Sequence, residues 1–240
     1  MSRTGVDYHQ IYERHAGEYD AMVAAEDCDG HLLSALLSIV PLAGAAVLEV
    51  GAGTGRVTRL LLDAGARVVA TEPAPAMRAV ARRHTAHLPA ARCALIGADA
   101  LALPVRADWA DAAVAGWALG HLRSWRAGAW RETIARALGE LDRALRPGGT
   151  LIVIETLGTG EERPRPPSPE LAEYYAWLEG EQEMERLAIR TDYHFPDPEA
   201  AARATGFFFG GEFAARVLHE GWSRIPECTG LWWRRTVAGH

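Results

Sequence analysis

The sequence has few cysteines, no excess of basic residues and no unbroken apolar run long enough to span a membrane. Its cysteines, Cys28, Cys93 and Cys228, lie far apart and are odd in number. This excludes a disulfide framework and zinc-ligand spacing, and favours free thiols in a reducing compartment. The longest apolar stretch, "LLSALLSIVPLAGAAVLEV", is broken by Pro41 and Gly44. It therefore predicts a core helix followed by a core strand and not a membrane span.

The charge and the start of the sequence limit the class of protein further. The formal net charge is -6, which argues against binding to nucleic acid or to a membrane surface, because both present phosphates. The polar start "MSRTGVDYHQ" gives no sign of a secretion signal. We therefore predict a cytoplasmic protein. The 240 residues, 49% of them hydrophobic, suffice for one large domain.

Apolar segments of two kinds alternate along the first two thirds of the chain. The strand candidates are apolar throughout, which is typical of a parallel sheet that is covered on both faces. Helical spacing of apolar residues separates them. The predicted strands are "AAVLEVG", "ARVVATEP", "RCALIGADA", "DAAVAGWAL" and "TLIVIET".

The alternation ends after Thr156. A proline-rich loop, "LGTGEERPRPPSPE", is followed by the predicted helix "LAEYYAWLEGEQEMERL". Two segments near the end, "GFFFGGEFAARVL" and "ECTGLWWRRTV", have the composition of late strands.

A glycine turn follows the first strand and carries the strongest chemical signal. The segment "LEVGAGTGR" places Gly51, Gly53 and Gly55 in five positions, with Glu49 just before them. A dinucleotide fingerprint needs glycine where Arg56 stands. The Glu49 carboxylate, just before the turn, would also repel a pyrophosphate. Glu49 instead suits a ligand that carries positive charge.

At this point the chain resembles the class I S-adenosylmethionine-dependent methyltransferases. "LEVGAGTG" resembles their first motif, "GADALALP" follows the third strand, and "LRPGGTLIVIE" resembles the approach to their fifth strand. The resemblance covers residues 8–157 and, more loosely, the two late strands. The high alanine and arginine content fits a protein from a GC-rich bacterial genome. Within the family the chain is similar to the small-molecule enzymes of the ubiquinone and menaquinone type.

The resemblance implies an α/β fold with a Rossmann-like, seven-stranded, mostly parallel sheet. Helices cover both faces, the last strand is antiparallel, and the N-terminus forms a helical cap. The whole chain, 1–240, is expected to form one methyltransferase domain. Its expected parts are the cap (1–40), a cofactor-binding core (41–157), a lid or substrate insertion (158–205) and C-terminal strands (206–240).

The resemblance also assigns a cofactor, S-adenosylmethionine, which leaves as S-adenosylhomocysteine. Glu72, at the end of the second strand, is expected to bind both ribose hydroxyls, and Asp99 to accept from the adenine amino group. Met77 is expected to pack on the adenine. Tyr19 from the cap is expected at the methionine end, with Tyr12 as the alternative. The other expected cofactor-binding residues are Glu49, Gly51, Ala52, Gly53, Gly55, Pro73, Ala100 and Trp117.

The acceptor side is predicted less sharply. Methyl transfer needs alignment of the acceptor and exclusion of water, and a hydroxyl or ammonium acceptor also needs a proton acceptor. His121, after the fourth strand, and His194, in "TDYHFPDP", are the predicted catalytic residues, and Glu155 is a third candidate. Tyr174 and Tyr193 are the predicted substrate-binding residues. Structural roles are the alternative for each: a loop or surface histidine, and a core aromatic.

Two further features narrow the acceptor. Members of the family that use a divalent metal hold it with acids near the fourth strand, but "AGWALGHL" has no carboxylate, which predicts metal independence. The Asn/Asp-Pro-Pro-Tyr motif of nucleic-acid enzymes is absent. We therefore expect a small-molecule acceptor, no nucleic acid or membrane partner, and a monomer or homodimer.

Two other functions stay open at the level of sequence. One is a non-catalytic module that binds S-adenosylmethionine, and an open cavity beside Trp117 and His121 would favour the enzyme over it. The other is an NAD(P)-dependent oxidoreductase, which Glu49 and Arg56 oppose.

Overall fold

A computed structural model describes residues 8–89 and 91–236. Residues 1–7, which hold most of the polar start on which the prediction of no secretion signal rests, lie outside the described residues. The described helices are α1 (Tyr8–Arg14), α2 (Ala16–Val23), α3 (His31–Ile39), α4 (Arg56–Asp63), α5 (Pro75–Thr85), α6 (Leu119–Trp125), α7 (Trp130–Ala144), α8 (Pro169–Gly180), α9 (Pro198–Phe209) and α10 (Gly211–Glu220). The strands are β1 (Ala46–Val50), β2 (Arg67–Thr71), β3 (Cys93–Ile96), β4 (Ala110–Gly116), β5 (Leu145–Thr159), β6 (Glu185–Arg190), β7 (Tyr193–His194), β8 (Arg224–Ile225) and β9 (Glu227–Arg235).

Seven strands form one sheet in the order β3-β2-β1-β4-β5-β9-β6. The pairs from β3 to β5 are parallel, whereas β9 runs antiparallel to both β5 and β6. This confirms the predicted Rossmann-like, mostly parallel sheet with an antiparallel last strand. The order reverses between β1 and β4, so the site is expected beyond the carboxyl ends of these two strands.

Apolar clusters on both faces of the sheet explain why its strands are apolar throughout. On one face, α3 and α4 contribute Leu36 and Leu61, which pack against Val47 and Val114. On the other face, side chains of α6, α7 and α8 pack against β4, β5 and β9. Every residue of β1 is buried, including Glu49. The burial of that carboxylate in a strand covered on both sides is the first sign of a site at this end of β1.

The segment "GFFFGGEFAARVL" is helical, so its prediction as a late strand is wrong. The Asp197 side chain accepts from the Ala200 N–H at 2.6 Å and caps α9, with Pro198 in the first turn. Aromatic residues favour strands only where a pleated surface is available to them. Here Phe208 and its neighbours pack instead against α2 and α10. Gly210, at a φ of 95°, separates α9 from α10.

The predicted helix "LAEYYAWLEGEQEMERL" is right only in its first part. Ser168 caps α8, which ends at Gly180, and Glu183 adopts a positive φ of 52°. The following Glu185–Arg190 segment is strand β6, because β9 offers it a free edge with Leu187 opposite Leu231. The sixth strand of the sheet therefore comes from this segment and not from the phenylalanine run.

The apolar stretch around Pro41 behaves as predicted, since α3 ends before it and β1 begins after it. Among the described helices, none has both the length and the apolar character needed to cross a membrane. The division of the chain into cap, core, lid and C-terminal parts stays a prediction.

Candidate active site

The glycine turn lies between β1 and α4, at the carboxyl edge of the sheet. Gly51, Gly53 and Gly55 have φ values of 69°, 57° and 89°, a region that side chains other than glycine rarely adopt. A Cβ at Gly51 would lie 2.5 Å from the Ala118 Cβ. The N–H groups of Gly51 and Ala52 donate to the Thr71 carbonyl at 2.8 and 3.0 Å. The turn is therefore fixed against β2 with bare backbone beside the β4–α6 loop.

Glu72 follows β2 and is held by the same turn. Its carboxylate accepts from the Gly53 N–H at 3.0 Å and from the Ala74 N–H at 2.8 Å. Burial raises the pKa of Glu72, and the two N–H donors oppose that shift. A carboxylate offers about four lone-pair sites, so two stay available to a vicinal diol. This arrangement fits the predicted role at the ribose.

Glu49 is buried on β1 and accepts from the Thr58 hydroxyl at 2.6 Å. Burial raises the pKa of Glu49 to about 7, against the Thr58 hydrogen bonds. The carboxyl is therefore only partly ionised at neutral pH when no cation is near, which corrects the simple picture of a fixed anion. A cationic ligand would favour the charged form.

A cavity of about 630 Å³ lies between the glycine turn, Glu72, the loop after β3 and the β4–α6 connection. Most of the predicted cofactor-binding residues line it: Tyr19, Glu49, Gly51, Ala52, Gly53, Glu72, Pro73, Met77, Asp99, Ala100 and Trp117. Gly55 does not line it. A Cβ at Gly55 would lie 3.2 Å from the Ala81 Cβ, so this glycine serves the packing of α4 on α5.

Asp99 and Met77 both line the cavity of the glycine turn. The Asp99 carboxylate accepts from the Leu101 N–H at 2.8 Å, which orders the loop after β3. Met77 is buried on α5, and its Cε would be 3.7 Å from a Cβ at Gly53. One polar and one apolar side chain at these places suit a heteroaromatic ring with an exocyclic amine.

A second cavity, of about 520 Å³, lies next to the first. The cap helices, α6, the end of β5, α9, α10 and the start of β9 supply its walls. Because the two cavities share a wall, ligands in them would be neighbours. The shared lining residues are Tyr12, Tyr19, Val23, Arg56, Trp117 and His121.

A histidine and a tyrosine meet at this shared wall. The Tyr12 hydroxyl and His121 Nε2 are 2.7 Å apart, and Trp125 stacks on the imidazole with ring centroids 5.1 Å apart. Burial and the nearby His9 lower the pKa of His121 to about 4. The imidazole is therefore neutral at pH 7, and one of its nitrogens can accept a proton.

An arginine also lies in the shared wall. The Arg56 guanidinium is 4.5 Å from the centre of the Trp117 ring, and its Nη1 is 2.6 Å from the Glu26 carboxylate. Trp117 has a left-handed φ of 49°, an uncommon conformation for a bulky residue. The strained backbone turns the ring toward both cavities.

Three buried carboxyls line the second cavity. Glu155 accepts from the Gly120 N–H at 2.8 Å, and Glu227 accepts from the Thr156 hydroxyl at 2.7 Å. Burial raises the pKa of each to about 8, and for Glu227 the charge of Glu26 adds to the shift. Glu26, the third, is paired with Arg56. Tyr193, a predicted substrate-binding residue, lines the same cavity.

Two predicted site residues lie elsewhere. His194 is exposed on β7, where its backbone pairs with Arg224, and it lines neither cavity. Tyr174 is fully buried on α8 in edge-to-face contact with Trp130. The buried aromatic residues of α8 pack in one cluster with side chains of the sheet, so Tyr174 is a core residue. Neither side chain is in reach of a ligand in these cavities.

Sequence reasoning missed the contributions of Glu26 and Glu227 and gave Arg56 only a negative role. Glu26 lies after α2, Arg56 begins α4 and Glu227 begins β9. No spacing rule connects these three residues, because they come from distant segments that meet only in the folded protein. The one local signal was a carboxylate, Glu227, at the start of an otherwise apolar strand.

Comparisons with known proteins agree with this geometry. A methyltransferase domain model matches residues 48–153, which contain Glu49, Glu72 and Asp99. An uncharacterized methyltransferase of Anoxybacillus flavithermus is 28% identical over 158 residues, covering 63% of this chain and 68% of that protein. Malonyl-[acyl-carrier protein] O-methyltransferase of Pectobacterium atrosepticum is 32% identical over 179 residues, covering 74% of this chain and 61% of that protein.

A solved structure shares the fold. Phosphoethanolamine N-methyltransferase 2 of Haemonchus contortus, in complex with S-adenosyl-L-methionine, superposes with a TM-score of 0.60 at 16% identity, covering 98% of this chain and 60% of that chain. At this identity the likeness concerns the fold. The chain is therefore similar in fold to the class I S-adenosylmethionine-dependent methyltransferases, and its residues 48–153 match a methyltransferase domain.

Proposed function

We propose that this methyltransferase transfers the methyl group of S-adenosylmethionine to a small organic acceptor held in the second cavity. The observation that carries the proposal is the shared wall: Trp117 and His121 line both the cavity of the glycine turn and its neighbour. A donor and an acceptor on its two sides would be held in contact, which is the main requirement of a displacement at carbon.

The cofactor fits the first cavity on several counts. Glu72 has lone pairs free for a diol, and Gly51 leaves no room for a Cβ. A positive charge nearby would lower the pKa of Glu49 and so raise its ionised fraction. When bound, S-adenosylmethionine supplies a methyl carbon on a sulfonium, whose sulfur keeps the bonding electrons as S-adenosylhomocysteine forms. We assign Tyr19, which lines both cavities, to the methionine end.

We assign removal of the proton from a hydroxyl or ammonium acceptor to the Tyr12–His121 pair. With a pKa of about 4 the imidazole is neutral, and the Tyr12 hydroxyl 2.7 Å away connects it to the cap side of the cavity. Glu155 is the second candidate, because a pKa near 8 is well matched to proton exchange at neutral pH. His194 drops out of the proposal.

Metal independence belongs to the proposal and rests on the lack of a carboxylate in "AGWALGHL" at the end of β4. So do a cytoplasmic location, a monomeric or homodimeric state, and the exclusion of nucleic acid as acceptor, which follows from the net charge of -6. Against a module that only binds the cofactor, the cavity of about 520 Å³ beside Trp117 and His121 is open, not filled by side chains.

A methyl-transfer screen tests the proposal. The purified protein is incubated with S-adenosylmethionine carrying a radiolabelled methyl group and a panel of small amines, phenols and carboxylic acids, with and without EDTA. We expect label in a small molecule, with no loss of rate in EDTA. Binding of S-adenosylhomocysteine without transfer to any acceptor class would favour the binding module, and a rate abolished by EDTA would refute metal independence.

A further inference from the structure

The second cavity is rich in buried carboxyl groups. Glu26, Glu155 and Glu227 are all buried and line it, together with the largely buried Arg56, the partly exposed Glu161 and the exposed Arg165. Arg56 already pairs with Glu26 and stacks on Trp117. Burial keeps a carboxyl protonated unless a positive partner compensates for the lost hydration of its charged form. The cavity therefore favours the entry of a positive group.

Among these three carboxyl groups, Glu227 has an oxygen that can accept a further hydrogen bond. Its residue is 2% exposed, and Oε1 accepts from the Thr156 hydroxyl. Oε2 is buried and has no hydrogen-bond partner by geometry within residues 8–89 and 91–236, while the Thr159 hydroxyl lies near the carboxyl and lowers its pKa. Because a buried polar atom without a partner is unfavourable, such an atom in a cavity wall marks the place of a ligand donor. Glu26 has no such vacancy, because Arg56 and Tyr193 both bind it.

Aromatic rings form the rest of the wall near the cap. Tyr19 and Phe208 pack together with ring centroids 5.4 Å apart, and Phe209 and Phe213 continue the same surface. Aromatic faces attract cations, and the attraction is strongest where water is excluded. Aromatic rings and a carboxyl group in the same cavity favour a cationic ligand over a neutral or anionic one.

We propose that the acceptor is a small organic amine, positively charged at neutral pH, whose ammonium group binds Glu227 while its apolar part lies against Phe208 and Tyr19. This inference rests on the proposed function for the place of the acceptor, and it adds the chemical class. The ammonium donates to the vacant Oε2. Whether the nitrogen or another atom receives the methyl group depends on how far the amine extends toward Trp117.

The groups around Glu227 set its proton balance. With its pKa near 8 the empty carboxyl holds a proton at pH 7. A bound ammonium reverses this preference, so binding should release a proton to the buffer. The charged and titratable groups that face Glu227 or share its cavity are Tyr8, Tyr12, Tyr19, Glu26, Arg56, His121, Glu155, Glu161, Arg165, Tyr175, Asp192 and Tyr193.

Three probes of one shape test the charge preference: phenethylamine, 2-phenylethanol and 3-phenylpropanoate. Each is titrated calorimetrically at pH 7 into the protein saturated with S-adenosylhomocysteine, in buffers of different ionisation enthalpy. We expect phenethylamine to bind at least about tenfold more tightly than the alcohol, as for a hydrogen bond between charged groups, with release of about one proton. Equal affinity for the amine and the alcohol, or tighter binding of the carboxylate, would overturn the inference.

The variant Glu227→Gln keeps the shape and removes the charge. We expect it to lose the preference for phenethylamine and the released proton, while the exposed Glu220→Gln keeps both. The S-adenosylhomocysteine affinity and the melting temperature of each variant report on folding, and the probe comparison in the unmodified protein needs no variant. Failure to bind S-adenosylhomocysteine refutes the proposed function, whereas cofactor binding without amine preference refutes only the acceptor class.

Discussion

Replacement of Glu72 by alanine should weaken S-adenosylhomocysteine binding without unfolding the domain. Two of the four lone-pair sites of the carboxylate are used by the N–H groups of Gly53 and Ala74, at 3.0 and 2.8 Å. The other two are left for ribose hydroxyls. Hydrogen bonds to a charged group are worth about 1.5–3 kcal/mol each. Because water re-solvates part of the open site, we expect a loss of about 1–3 kcal/mol, roughly 5- to 150-fold in Kd.

Glu72→Gln is a smaller change that affects both the turn and the ligand contact. The amide has one oxygen, so its NH₂ group must face either the Gly53 or the Ala74 N–H, and the turn loses a hydrogen bond. Both variants should therefore lower the melting temperature slightly, and both should bind more weakly. Calorimetric titration measures the affinity, with Glu132→Ala, an exposed change of the same kind on α7, as control. An affinity within twofold of the unmodified protein for Glu72→Ala would remove Glu72 from the ribose site.

Three further predictions concern the turn, the shared wall and the buried acids. Gly51→Ala should destabilise the protein more than Gly53→Ala, since its Cβ would lie 2.5 Å from Ala118 while that of Gly53 meets Met77 at 3.7 Å; equal urea midpoints would contradict this. His121→Ala should lower turnover by about 10²–10⁴-fold and leave S-adenosylhomocysteine affinity nearly unchanged, and full turnover would end its role as a base. The ligand-free protein should lose stability as pH rises from 6.5 to 8. Burial raises the pKa values of Glu49, Glu155 and Glu227 to about 7, 8 and 8, so the folded state holds protons that the unfolded state has released. The free energy of unfolding should fall by about 1 kcal/mol or more per pH unit. The opposing contribution of His121, whose folded pKa is about 4, fades as the pH rises through 6.5 and is small above about pH 7.5. A flat or rising denaturation midpoint over this range would show that these acids are ionised in the empty protein.

The cofactor half was predictable because its signals are local. Glu49, the glycine turn and Glu72 each sit where a buried strand ends, and the parallel order of β1 and β2 brings strand ends together. Backbone requirements of this kind are written in short segments. The domain match spans residues 48–153 and so includes these positions.

The acceptor half was not predictable, because its residues depend on contacts between distant segments. Glu227 and Thr156 are 71 positions apart, and only the antiparallel pairing of β9 with β5 brings them together. Tyr174 looked like a ligand residue because an aromatic on an amphipathic helix has the same pattern whether it faces a core or a pocket. The phenylalanine run misled for a similar reason, since Asp197 and Pro198 had already begun a helix.

The position of β9 between β5 and β6 has a consequence for biosynthesis. Strand β6 pairs with β9 and with no other strand in the described part of the chain, and β9 follows all the other described strands in the order of synthesis. While the ribosome still holds that segment, β6 has no neighbour and the wall containing Glu227 does not exist. The nascent chain can assemble β1 to β5 and the glycine turn first, so the site for the nucleoside forms before the site for the acceptor. A stop codon before Glu227 would leave two unpaired strand edges, and edges of this kind direct polypeptides toward aggregation.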